Sequence, residues 1–426
     1  MPKKKLSSKI SKPTDSRIKK KVTSKKTKQP TSKANKAKSN AKKSTSLNTK
    51  PLLMVLVAFF ALFGVYILVS ALNGTLSAKY TSFLLNSVIF EEAGNERLGL
   101  KKATDGPCKN IGYQVQNVKS QLCTHGFDEV PVSATENEAV PVGDDVIKSN
   151  RIFTDNQKKQ LLKLRELENS GKGPAATMNS GGEIIASDAS SERCEDGHSE
   201  GRVVVVYLGS LGPRHMDAIR DYARMIDFNV IVAANKTGHR MRVRWVREDC
   251  TILVARSAVV TNPERYTTVD RVIRKLEDVD FNRDDRKYLV FVDTILPGNS
   301  CGVGTSYDDD DPNGFRNSNN FHNAQYAIIW KECWSGTAPT HELFHTLGAV
   351  QDSAPHYDSS GSGGHTTQGK DIMTPYPDGG NRACSNITID CGSDDYFNPK
   401  PSNSSAAQYI RTHWNTARSR YLIFEN

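Results

Sequence analysis

His341, Glu342 and His345 form H-E-x-x-H within "APTHELFHTLGAVQDSAPHYD", residues 338 to 358. On a helix, residues four apart share a face, so both imidazoles can aim at one ion. The glutamate beside them reaches a water held on that ion rather than the ion itself. Zinc lowers the pKa of such a water to about 7, and the glutamate takes its proton as the water attacks a carbonyl. The same acid then returns the proton to the departing amine. This chemistry hydrolyses a peptide bond without a covalent intermediate, and it needs a third protein ligand.

The third ligand is not obvious. After Glu342 the next glutamate is Glu425, next to the C-terminus, which excludes a glutamate ligand from a second helix well downstream. Gly348 follows His345 by three residues and permits the left-handed turn that ends a helix and sends the chain back. The tightest such return would use position 351, which is Gln351, a neutral and weak donor. Beyond it stand Asp352, His356 and His365, of which the imidazoles suit zinc best.

The elements that must hold this constellation are readable from residue 201 onward. "RVVVVYLGS" is an apolar run expected for a strand covered on both faces. "PRHMDAIRDYARMIDF" has helical spacing with Pro213 near its start. "NVIVAAN", "MRVRWVRE" and "CTILVA" read as strands, "YTTVDRVIRKLEDVDF" as a helix, and "RKYLVFVDTIL" and "AQYAIIW" as strands leading through Cys333 into the motif helix. The expected fold is α+β, a mixed sheet with long helices over residues 198–426.

The first half reads differently. Residues 1–50 carry 17 Lys, one Arg and one Asp, which leaves 39 basic and 46 acidic residues for the rest. Such a tail cannot bury enough apolar surface to fold, so it is expected to be disordered and cytoplasmic. "LLMVLVAFFALFGVYILVSAL", residues 52–72, is long and apolar enough to predict a transmembrane helix at 51–73. The Lys-rich flank predicts a single-pass protein in the cell membrane with its catalytic bulk extracellular, or secreted after cleavage. Residues 74–197 read as a stem or pro-region, with "NQKKQLLKLRELEN" at 156–169 helical by spacing. All eight cysteines lie beyond residue 100, which suits an oxidising compartment. Spacing pairs Cys108 with Cys123 and Cys384 with Cys391, leaving Cys301 with Cys333 and Cys194 with Cys250. "YDDDDPNG" (307–314) and "GSDDY" (392–396) are candidate Ca2+ loops. No nucleic-acid partner is expected for the outer domain, and the oligomeric state is not readable.

"GGHTTQGKDIMTPY" places Met373 28 residues after His345. H-E-x-x-H-x-x-G followed by such a methionine resembles the metzincin superfamily of zinc metallopeptidases. The fuller pattern, "HELFHTLGAVQDSAPH", "GGHTTQGKDIM", "DDYF" and "THWN", is similar to a group of bacterial zinc-peptidase-like proteins and covers roughly residues 201 to 426. The resemblance implies one Zn2+, Glu342 as base, Met373 as the floor of the site and a protein or peptide substrate. It also implies His356 as third ligand, with His365 the close alternative. Tyr376 is the implied candidate to polarise a carbonyl, although "MTPY" sets it one residue further from Met373 than the group's "MCY". The rival expectation is a surface binding or adhesion protein that keeps the fold without turnover.

Overall fold

Arg202–Leu208 is a strand buried along its whole length. Its alternate residues feed two separate cores: Val203, Val205 and Tyr207 on one side of the sheet, Val204, Val206 and Leu208 on the other. The computed structural model describes residues 96–425, apart from 130–145, 187–199, 257–261, 376–383 and breaks of one to three residues elsewhere. In chain order its elements are β1 (Leu100–Lys102), β2 (Tyr113–Val115), β3 (Cys123–Thr124), β4 (Asp128–Glu129), α1 (Val146–Ser149), α2 (Asp155–Asn169), β5 (Ala176–Met178), β6 (Ile184–Ala186), β7 (Arg202–Leu208), α3 (Pro213–Lys236), β8 (Arg240–Val243), β9 (Arg247–Glu248), β10 (Thr251–Ile252), β11 (Val254–Arg256), α4 (Val269–Glu277), β12 (Arg286–Val292), β13 (Ser300–Ser306), α5 (Ser318–Phe321), β14 (Gln325–Trp330), α6 (Ala338–Thr346), α7 (Gln408–Thr412) and β15 (Leu422–Glu425).

The main sheet has the order β1-β2-β3-β13-β14-β12-β7-β11, with β4 also paired to β13. Strands β11, β7, β12 and β14 run parallel, and β13 turns antiparallel on β14. Helices connecting parallel neighbours make this a mixed α/β fold, which corrects the α+β expectation. One face carries α2, α3 and α6 with Leu161, Ile226 and Leu343 buried, and the other carries α4 with Val272 and Ile273.

Three further expectations change. The single-pass membrane placement is corrected: among the described residues no helix is long and apolar enough to cross a membrane. Residues 1–50 and 51–73, on which the tail and span rested, lie outside the described residues. "NVIVAAN" is not a strand but the last turns of α3. No breaker separates it from the preceding helical run, and Val230, Ile231, Ala233 and Ala234 stay on the buried face. Finally, part of the segment expected to be a stem belongs to the sheet, since β1 to β4 extend it beyond β13. Helix α2 is joined to the later chain by charge: Glu168 accepts from Arg224 Nε at 2.5 Å and Arg247 Nη1 at 3.1 Å, all three side chains being buried. Disulfides Cys108–Cys123, Cys301–Cys333 and Cys384–Cys391 match the pairs suggested by spacing. Cys250 is disulfide-bonded as well, and Cys194 lies outside the described residues.

Strand β13, "SCGVGTS", carried no apolar alternation and was not visible as a strand. Its glycines let α6 lie directly on it. A Cβ on Gly302 would stand 2.4 Å from Glu342 Oε1, and one on Gly304 would stand 2.4 Å from His345 Cβ and 2.8 Å from the Glu342 carbonyl oxygen. Backbone cannot yield as a flexible side chain can, so Gly304→Ala is expected to lower the unfolding free energy by about 1–3 kcal/mol. Denaturant melts of the two proteins check this, and an unchanged midpoint would contradict so close a helix-on-strand contact.

Candidate metal centre

Helix α6 begins with Pro339 in its first turn, where the missing N–H costs nothing, and every residue from Pro339 to Thr346 is buried. Cys301–Cys333 ties β13 to the segment that leads into the helix. At its end Gly348 adopts φ +79°, and the amides of Gly348 and Ala349 donate back to the carbonyls of His345 and Phe344. Trp414 Nε1 donates to the Leu347 carbonyl at 2.7 Å and closes the remaining turn. The turn read from Gly348 is therefore present.

Beyond it the chain makes a long return. Gln351, which stood at the suspect position, bridges two loops: its Nε2 donates to the Gly348 carbonyl at 2.9 Å and its Oε1 accepts from Asp309 N at 2.7 Å. It is a structural tie. Asp352 is exposed and joins no cluster of metal-ligand groups among the described residues. His356 and Thr367 pair through their backbones, as do Asp358 and His365. This ladder turns the two histidines to different places. His356 Nδ1 lies 3.0 Å from each oxygen of the buried Asp395 carboxylate and 2.7 Å from Gln368 Nε2. It ties two loops together and does not meet His341 or His345. Gly364, at φ +85° and with its Cβ position only 3.1 Å from the His345 ring, delivers His365 instead.

The three imidazoles of His341, His345 and His365 converge. The Nε2 atoms of His345 and His365 lie 2.9 Å and 3.2 Å from that of His341. Donors about 2.0–2.1 Å from one tetrahedral ion stand about 3.3 Å apart, so the set fits a divalent zinc-sized cation. His341 Nδ1–H donates to the Ile372 carbonyl at 2.7 Å, which leaves its Nε2 lone pair free for an ion. That carbonyl belongs to the turn holding Met373, which is fully buried. Asp371 fixes the turn by accepting from Met373 N, Cys391 N and Tyr396 Oη, and burial pushes its carboxyl up to about 6. Tyr376 lies outside the described residues.

Glu342 is wholly buried, and neither carboxylate oxygen has a hydrogen-bond partner among the described residues. Burial and the facing Asp128 carboxylate push its pKa well above the ordinary range. Burial and the surrounding rings push His345 well down. A divalent cation here would reverse these penalties, because it favours neutral imidazole and ionised carboxylate.

Two residues that sequence reading missed complete the cluster. Asp128 on β4 places Oδ1 2.8 Å from His365 Nε2 and Oδ2 3.2 Å and 3.8 Å from the Nε2 atoms of His341 and His345. Burial opposes its charge, yet His125, His341 and His365 hold the carboxyl well below its usual range. The His125 ring lies tilted 4.0 Å from that of His345, and its Nε2 is 3.6 Å from Asp128 Oδ2. Neither ring nitrogen has a hydrogen-bond partner among the described residues, and burial pushes it down to about 3. Nothing local in "CTHGFDE" marks these positions; only the pairing of their segment with β13 brings them to the site.

Of the two acidic loops, the second brings Asp394 and Asp395 together with His356 in a group that could hold an ion, whereas Asp309 of the first is taken up by backbone amides. Asp309 accepts from Asp311 N and Ser318 N, and Asp311 pairs with Arg316. Comparison with protein-family models, with curated proteins and with solved structures finds no match.

Proposed function

We propose that this chain is a zinc-dependent peptidase of the metzincin type, with His341, His345 and His365 as the metal-holding imidazoles and Glu342 as the base. One observation carries the reading: three buried imidazole nitrogens converge on one spot beside a buried glutamate that has no hydrogen-bond partner among the described residues. A buried carboxylate without a hydrogen-bond partner among the described residues, set against three imidazoles whose Nε2 atoms crowd together, calls for a cation to stabilise it. The three-nitrogen donor set and an oxygen beside it suit zinc. When bound, zinc supplies Lewis acidity toward water and toward the scissile carbonyl.

The residues of the chain do the rest. The Ile372 carbonyl orients His341, and β13 lies directly against the helix. Glu342 accepts the proton of the attacking water at its carboxylate and passes it to the amine that leaves. Water exclusion around the acid strengthens its interaction with the developing charge. The substrate class is peptide or protein.

The experiment loads the full chain with zinc and follows cleavage of a mixed peptide library by the wild type and by Asp128→Asn, which removes the carboxylate charge at the cluster. Cleavage by at least one of them, ended by a chelator and restored by zinc, is expected. Zinc-loaded proteins that both cleave nothing would overturn the reading in favour of a binding protein on this fold.

A further inference from the structure

Residues 123–129 occupy the free edge of β13. On one side β13 pairs with β14; on the other, Thr305 and Ser306 pair with Thr124 and Cys123, and Gly302 and Ser300 pair with Asp128 and Glu129. Between these two short ladders the chain leaves the strand, and Gly126 takes φ +116°. The excursion lowers His125 and Asp128 onto the three imidazoles. Asp128 is paired opposite Gly302, the residue that lies directly on Glu342. A strand edge beside a metal-holding helix is where an extended peptide would add by backbone hydrogen bonds. The chain's own segment holds that edge.

We infer that residues 123–129 form a built-in inhibitor, with Asp128 as a fourth, oxygen ligand in the place where water and substrate must enter. The inference rests on the peptidase reading above. The carboxylate oxygens already stand 2.8–3.8 Å from all three imidazole nitrogens, as expected of a group sharing one ion with them. A site with three imidazoles and a protein carboxylate is closed, whereas catalysis needs one position open. The disulfide Cys108–Cys123 pins the start of the segment, so access comes from local lifting of 124–129 and not from loss of the whole strand. His125 leaves with it, since its Nε2 stands 3.6 Å from Asp128 on the same segment.

The test uses the full chain loaded with cobalt(II), whose visible absorption reports ligand number, and acetohydroxamate as a small chelating probe. Asp128→Asn is expected to bind the probe at least tenfold more tightly than the wild type. In the wild type the binding rate is expected to level off with probe concentration, because lifting of the segment precedes binding, and this needs no variant to fold. Cobalt-loaded proteins that bind the probe equally well, with rates linear in its concentration, would overturn the inhibitor and leave the metal site standing. Failure of both proteins to take up cobalt would overturn the metal reading itself and the inhibitor with it.

Discussion

His365→Ala is expected to strip the metal from the protein, and His356→Ala is expected to leave it bound. His365 Nε2 lies 3.2 Å from His341 Nε2 and is paired with Asp128, so it stands inside the donor set. Its loss removes one of three protein nitrogens, and affinity should fall by more than the about 10–100-fold that follows from losing a hydrogen-bond partner of a ligand. His356 faces Asp395 and Gln368 instead. Its replacement leaves the buried Asp395 with a backbone partner only at this point, and about 1–3 kcal/mol of stability should be lost with zinc retained. Competition for zinc against a chromophoric chelator, run beside a denaturant melt, separates the two. Metal loss with His356→Ala and retention with His365→Ala would reverse the ligand assignment.

The second large effect is at Glu342. In the Asp128→Asn background, Glu342→Gln is expected to lower peptide hydrolysis by about 10²–10⁴-fold while zinc stays at one equivalent. Glutamine keeps the shape that fits against Gly302 but takes no proton. It should also change the pH dependence of the metal-free protein. Burial and Asp128 raise the Glu342 pKa above 4.5 in the folded state. The folded protein therefore holds this proton more tightly than the unfolded chain does, and the contribution of Glu342 to stability falls as pH rises from about 4.5. Glu342→Gln removes that decline. A variant that keeps full activity would exclude Glu342 as the base.

The sequence pointed correctly to the helix of His341, Glu342 and His345, because a four-residue spacing fixes a shared helical face wherever the helix lies. It also located the buried strands β7, β12 and β14, whose unbroken apolar runs have few alternatives. Long-range pairing was harder to read. The choice between His356 and His365 depends on the ladder joining 356–358 to 365–367, and both residues are equally good ligands by type. β13 was hidden because glycine replaced apolar residues where α6 presses on it. Asp128 and His125 lie more than two hundred residues from the motif, in a segment whose short strands show no period of their own. The parallel sheet order likewise follows from crossovers and not from any single run.

We propose one zinc ion held by His341, His345 and His365 and closed by Asp128. Zinc K-edge absorption fine structure of the full, zinc-loaded chain tests it most directly. The account predicts three imidazole nitrogens and one carboxylate oxygen at about 2.0–2.2 Å, with the imidazole count falling to two in His365→Ala, measured at saturating zinc. A first shell with fewer than three imidazoles, or one unchanged by His365→Ala, would contradict it.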